Sequence, residues 1–277
     1  MQWGIAGPWY GEFMTLDRDR LMAQMKFLAK CGLSVMGVGI TEVAKWSDEY
    51  RGCVFQFVAD HDLRLAPHAG FKTVGASQDE IQRQTEEQLD ALRRHLPHLR
   101  GTITNCGAGA GHRFDRAMPL EQKLETISRG LAGLARGCQE LGAPLCIENH
   151  GDFYCSDLVQ LCRMTPGLFL FLDTGNTYLI GERPLPAFEV AAPLTIGTHF
   201  KDHLVQPCYD PLRFEIFGAV LGEGDVGLRE CYDLLLRKAP DPKNLVMQME
   251  MICPKGMPPL EAMEKSIAFI HSLPEPK

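Results

Sequence analysis

The chain has 277 residues, 45% of them hydrophobic, and a formal charge of −7. That length suits one α/β barrel built around a single large core. The acidic balance, with no run of five like charges, argues against a partner held through a phosphate backbone, so no nucleic acid is expected.

Short apolar runs alternate with longer helical periods along the whole chain. The predicted strands are Gln2–Ala6, Val35–Gly39, Arg64–His68, Thr102–Cys106, Pro144–Asn149, Leu168–Asp173, Thr195–Phe200 and Asn244–Met251. Between them fall helical patterns near Asp19–Lys30, Ser47–His61, Gln78–His95, Leu120–Leu141, Asp157–Met164, Pro186–Ala191, Leu228–Arg237 and Leu260–Ser272. Ser77 with Glu80 forms a capping-box pattern, Gly32 and Gly142 stand where C-cap glycines are expected, and Ser156 or Asp157 and Asp225 are candidate N-caps. Eight strand–helix units of about 35 residues each predict an α/β fold, a (β/α)8 TIM barrel, as one domain over residues 1–277. The loop from His203 to about Gly227 is too long to be a mere connection and is expected to cover or shape a site.

The ten cysteines are scattered, with no C-x-x-C pair, and most lie in apolar periodic segments. They read as reduced, structural thiols of a cytoplasmic protein. The Met1-Gln2-Trp3-Gly4-Ile5 start lacks a signal-peptide pattern. No stretch approaches the roughly 18 consecutive apolar residues that span a bilayer, so no membrane partner is expected.

Four apolar runs end on ionisable groups: Glu148, Asp173, His199 and Glu250. A buried strand that finishes on a charge must offset its desolvation, and metal coordination is one way to do so. In a barrel of this type, groups at the C-terminal strand ends line one mouth, and strands five to eight are neighbours. Three carboxylates and one imidazole suit Mn²⁺, Mg²⁺, Co²⁺ or Zn²⁺. Period-two alternation puts Lys201 on the face of His199, where it can hold a substrate carboxylate or oxyanion, donate a proton, or pair with Asp202 or another rim carboxylate. His68 ends the third strand and is placed to meet a substrate hydroxyl. Asn105 and His112 flank the turn Gly107-Ala108-Gly109-Ala110-Gly111, which lacks the features of a nucleotide-binding loop. Its glycines are expected to allow close backbone approach to a ligand. Trp9 and Phe71 can wall a sugar face or pack at the rim, and Glu223 and Asp225 can also face the site. His150 shares the face of Glu148 but lies beyond it, at the rim.

The series Ile147-Glu148-Asn149-His150, Leu172-Asp173-Thr174-Gly175-Asn176, Thr198-His199-Phe200-Lys201-Asp202, Gly222-Glu223-Gly224-Asp225-Val226 and Met249-Glu250-Met251 resembles the xylose-isomerase-like TIM-barrel superfamily, and within it the sugar phosphate isomerase/epimerase group. The resemblance implies a metal, often Mn²⁺, bound by Glu148, Asp173, His199 and Glu250. It also implies a small sugar or sugar-acid substrate and, by resemblance only, a homo-oligomer. One departure stands out: ketose 3-epimerases of the group carry Asp-x-x-His after strand six, where this chain has Asp173 and Asn176. Asn176 can bind a substrate but cannot act as a base.

The expected activity is that of a divalent-metal-dependent isomerase or epimerase of a sugar or sugar derivative, working through an enediolate, with Glu148 or Glu250 moving the proton. The alternative is a metal-dependent lyase, a decarboxylase or dehydratase, acting on a keto sugar acid and gripping its carboxylate with Lys201, His68 or His112.

Overall fold

The computed structural model describes residues 1–6, 20–109, 111–210 and 212–276. Strands β1 (Gln2–Ile5), β2 (Val35–Gly39), β3 (Arg64–His68), β4 (Thr104–Cys106), β5 (Leu145–Glu148), β6 (Leu168–Asp173), β7 (Thr195–Phe200) and β10 (Val246–Met249) are all parallel. They run in sequence order round a closed barrel, and β10 seals it by pairing with β7 and β1. Four strands match their predicted bounds to the residue, and the other four are shorter at one or both ends. The architecture is the predicted single (β/α)8 barrel domain.

Helices α1 (Arg20–Lys30), α3 (Asp48–Asp60), α4 (Gln78–Leu99), α5 (Leu120–Glu140), α6 (Cys155–Met164), α8 (Pro184–Ala191), α9 (Leu228–Lys238) and α10 (Pro259–His271) answer to the predicted helical periods. On α5 the positions Leu124, Ile127, Leu131, Leu134 and Cys138 recur at helical spacing and are all buried. Each fully buried leucine or isoleucine there stabilises the packed state by about 1.5–3 kcal/mol. Ser77 and Glu80 close the predicted capping box, and Gly32 and Gly142 have the positive φ of C-cap glycines. Helix α4 runs past Pro97 to Leu99, because a proline so near the end forfeits only one hydrogen bond.

Two caps differ from expectation. Asp157 lies inside the first turn of α6 and accepts from the Tyr154 N–H at 3.0 Å. Asp225 does not cap α9, whose N-cap is Gly227; its carboxylate accepts from the Val205 N–H at 2.8 Å. Short elements beyond the predicted set include α2 (Ile40–Lys45), α7 (Asn176–Leu179) and an antiparallel hairpin of β8 (His203–Pro207) with β9 (Phe214–Gly218). The hairpin occupies the long loop after β7.

The core has two layers. One lies between strands and helices, and the other fills the barrel with Val35, Ala66, Ile103, Cys146, Phe171 and Val246. This inner layer positions the site by simple arithmetic. Side chains two residues further along a strand point the same way. Cys146 therefore leads to Glu148, Phe171 to Asp173, Ile103 to Asn105 and Ala66 to His68.

The pairing of β6 with β7 contains an irregularity between Leu170 and Phe171. It skips Ile196 and brings Asp173 directly opposite His199. Gly197 makes the floor possible, since a Cβ there would meet the Phe171 ring at 2.6 Å. The Phe171 ring supports His199 edge-on, with centroids 4.7 Å apart.

Candidate metal centre and active site

Glu148, Asp173, His199 and Glu250 converge at the C-terminal mouth, each offering one ligand atom within 4.8 Å of the others. His199 Nδ1 lies 2.9 Å from Glu148 Oε1, 3.5 Å from Glu250 Oε2 and 3.8 Å from Asp173 Oδ2. Around the arc β5–β6–β7–β10, Glu148 and Glu250 stand at the two ends.

Each carboxylate is held by its surroundings. Asn105 donates through Nδ2 to Glu148 Oε2 at 3.1 Å. Asp173 Oδ1 accepts the Gly175 and Asn176 N–H groups at 2.9 and 3.0 Å, where the chain turns into α7. Lys201 Nζ sits 2.8 Å from Asp173 Oδ2 and 2.5 Å from Glu250 Oε2, and bonds Asn176 Oδ1 at 3.2 Å.

Crowded charge shows in the proton affinities. Burial alone would raise Glu148, but the charge and hydrogen bond of His199, with Asn105, hold it down at about 2. Asp173 is pushed up to about 7, chiefly by burial and further by Glu148 and Glu250, against the pull of Lys201. Burial opposes protonation of His199, yet Glu148, Glu250 and Asp173 raise it to about 9. Lys201 is likewise raised, its burial outweighed by Asp173 and Glu250.

These residues fit a divalent cation. Asp173 Oδ2 is buried and accepts no well-formed hydrogen bond, its nearest counter-charge being the Lys201 ammonium. An oxygen so placed, beside two further carboxylates and an imidazole, completes a hard or borderline donor set.

The other predicted residues fall in several places. His68 stands at the mouth in register with Asn105, exposed to solvent but enclosed enough by protein that its pKa is lowered. Asn105 Oδ1 is buried without a partner. Asn176 is engaged within the protein, bonding Lys201 through Oδ1 and the Asn149 carbonyl through Nδ2 at 3.0 Å. His112 anchors its own loop: its Nδ1 accepts the Phe114 N–H at 3.1 Å and its ring meets the Phe114 ring. Glu223 and Asp225 are exposed, and Trp9 lies outside the described residues. Lys201 pairs with Asp173 and Glu250 rather than Asp202, whose carboxylate is taken up by the backbone N–H groups of Gly222, Gly224, Val226 and His203. In the glycine-rich turn the close approach is to protein. Gly109, at φ 73°, donates no side chain to a gap where a Cβ would stand 2.5 Å from the Phe71 carbonyl.

Sequence reasoning missed Asn149, whose side chain braces Asp173, and His203, whose ring packs over Gly175. The polar Asn149 between two site residues was the available signal.

Residues 25–273 match the family model described as xylose isomerase-like TIM barrel, and the chain belongs to that family. No match is found among curated proteins. Among solved structures, D-psicose 3-epimerase from Clostridium cellulolyticum H10, in complex with D-tagatose, superposes with a TM-score of 0.73 at 14% identity, over 98% of this chain and 97% of that one. The probable 3-DHS dehydratase AsbF of petrobactin synthesis from Bacillus anthracis gives 0.71 at 12% identity, over 98% and 99%. A xylose isomerase-like TIM-barrel protein from Mycobacterium smegmatis, in complex with magnesium, gives 0.67 at 16% identity, over 96% and 92%. At such identities these likenesses establish the fold. Among the described residues, no helix is long and apolar enough to cross a membrane.

Proposed function

We propose that this protein is a divalent-metal-dependent isomerase or epimerase of a sugar or sugar derivative. The observation that carries the reading is the convergence of Glu148, Asp173, His199 and Glu250 within 4.8 Å at the ends of adjoining strands. These four residues would hold the ion, with Mn²⁺ the leading choice and Mg²⁺, Co²⁺ and Zn²⁺ the alternatives. Bound there, the ion supplies Lewis-acid polarisation of a substrate carbonyl.

The chain's own groups do the rest. Glu148 is kept ionised by His199 and Asn105, and so is ready to take a proton from the carbon beside that carbonyl. Glu250, at the far end of the same arc, can return a proton from the other side. Taking and returning on opposite faces inverts a stereocentre; returning to the neighbouring carbon interconverts aldose and ketose. Lys201, whose ammonium lies beside the cluster, can hold a substrate oxygen, and His68 and the unpartnered Asn105 Oδ1 can orient hydroxyls. Asn176 cannot serve as a base.

A metal-dependent lyase acting on a keto sugar acid is the second reading. It is favoured by the buried cation Lys201, which can pair with a substrate carboxylate, and by the likeness to a probable dehydratase. The ten free thiols, most of them buried, suit a reducing, cytoplasmic setting.

Incubation of the Mn²⁺-loaded protein with ketoses, aldoses and keto sugar acids in D2O tests both readings. Deuterium uptake without loss of mass supports the isomerase or epimerase. Loss of water or CO2 supports the lyase. Absence of any metal-dependent exchange or elimination across the panel contradicts both.

A further inference from the structure

Lys201 is placed differently from a group that merely waits for substrate. Its ammonium lies 2.8 Å from Asp173 Oδ2 and 2.5 Å from Glu250 Oε2, oxygens of two residues in the four-ligand cluster. The same two oxygens face His199 Nδ1 at 3.8 and 3.5 Å. The Lys201 backbone is fixed, because its N–H donates to Thr174 Oγ1 at 2.8 Å and its carbonyl accepts that hydroxyl at 2.6 Å. The side chain passes over Gly175, where a Cβ would meet Lys201 Cδ at 2.8 Å. The far end of the side chain is left to shift, and among the described residues it has a neutral acceptor beside it, Asn176 Oδ1 at 3.2 Å.

We propose that Lys201 is a built-in cation that holds Asp173 and Glu250 together in the metal-free site, competes with the divalent ion for their oxygens, and withdraws to Asn176 when the ion enters. This rests on the metal reading above. Two cations at contact distance from the same pair of carboxylate oxygens compete for them, since their mutual repulsion in a buried pocket is far stronger than in water. Without Lys201 the metal-free site would bury three carboxylates against His199 alone, which is costly. The ammonium therefore stabilises the carboxylate pair and weakens metal binding by the same interaction. Asn176 suits the parking position because, unlike a protonated histidine, it never carries a charge to repel the ammonium.

The test is calorimetric titration of chelator-stripped protein with Mn²⁺, comparing wild type with Lys201→Met and Lys201→Gln at one pH. Both variants are expected to bind Mn²⁺ about tenfold more tightly or better, and their melting temperatures should rise more on Mn²⁺ addition than that of wild type. The larger thermal shift remains readable where the stripped variants are only partly folded. Wild type that binds Mn²⁺ while the variants bind no more tightly, and gain no larger thermal shift, overturns this proposal alone. No Mn²⁺ binding by any of the three proteins overturns it together with the metal reading.

Discussion

Asn149 and Asp173 are joined by a reciprocal pair of hydrogen bonds. Asn149 Nδ2 donates to the Asp173 carbonyl at 2.8 Å, and the Asp173 N–H donates to Asn149 Oδ1 at 2.7 Å. The pair fastens the end of β5 to the end of β6, so Glu148 and Asp173 are held at a fixed separation. Asn149→Ala leaves two buried backbone groups unsatisfied. It should cost about 2–3 kcal/mol of stability by thermal denaturation and weaken Mn²⁺ binding roughly 10–100-fold by calorimetry. A stability loss with unchanged metal affinity would show that Asn149 braces the fold and not the centre.

The opposed carboxylates invite a direct test. Glu148→Gln and Glu250→Gln keep shape and remove charge, and neither side chain belongs to the apolar clusters of the core. Each should lower solvent-deuterium exchange into the active substrate by roughly 10²–10⁴-fold, with the circular dichroism spectrum unchanged. Near-normal exchange in either variant would remove that residue from the proton-transfer role.

Asp202 organises the loop that carries the hairpin. Its two oxygens accept four backbone N–H groups, those of His203, Gly222, Gly224 and Val226, at 2.8–3.3 Å. Asp202→Ala leaves those donors without a partner and should destabilise the protein by about 3 kcal/mol or more. Limited proteolysis should then cut the loop between β8 and β9 well before the barrel.

His203 gives stability a pH dependence with a definite sign. Burial, reinforced by Lys201, lowers its pKa from the ordinary 6.5 to about 4. Between those values the unfolded chain takes a proton that the folded chain refuses. The contribution of His203 is therefore complete above pH 6.5 and is lost as pH falls towards 4. His203→Gln removes the effect. The wild type should lose more melting temperature than the variant between about pH 7.5 and about pH 5; equal losses would contradict the assignment.

The barrel and the convergence of Glu148, Asp173, His199 and Glu250 were readable because both follow from local periodicity. A strand that ends on Glu148 must turn that group inward if Cys146 is inward, and the same holds for Asp173 after Phe171. Roles set by tertiary contact were not readable in that way. Asp225 precedes a helix and looks like its cap, but Gly227 is the N-cap of α9 and Asp225 is drawn to the Val205 N–H across the loop. His112 has the chemistry of a substrate ligand, yet its ring serves the Phe114 backbone two residues away. The hairpin was legible only as excess loop length, because Leu204 and Phe214 are both exposed and leave no clear alternation.

Every role proposed for the mouth rests on one divalent ion held by Glu148, Asp173, His199 and Glu250. Titration of the chelator-stripped protein with Mn²⁺, beside Asp173→Asn and His199→Ala, tests it most directly. Wild type is expected to bind one ion per chain, with roughly 10–100-fold or greater weakening in each variant. Absence of stoichiometric binding in wild type, or binding that both variants retain in full, would contradict it.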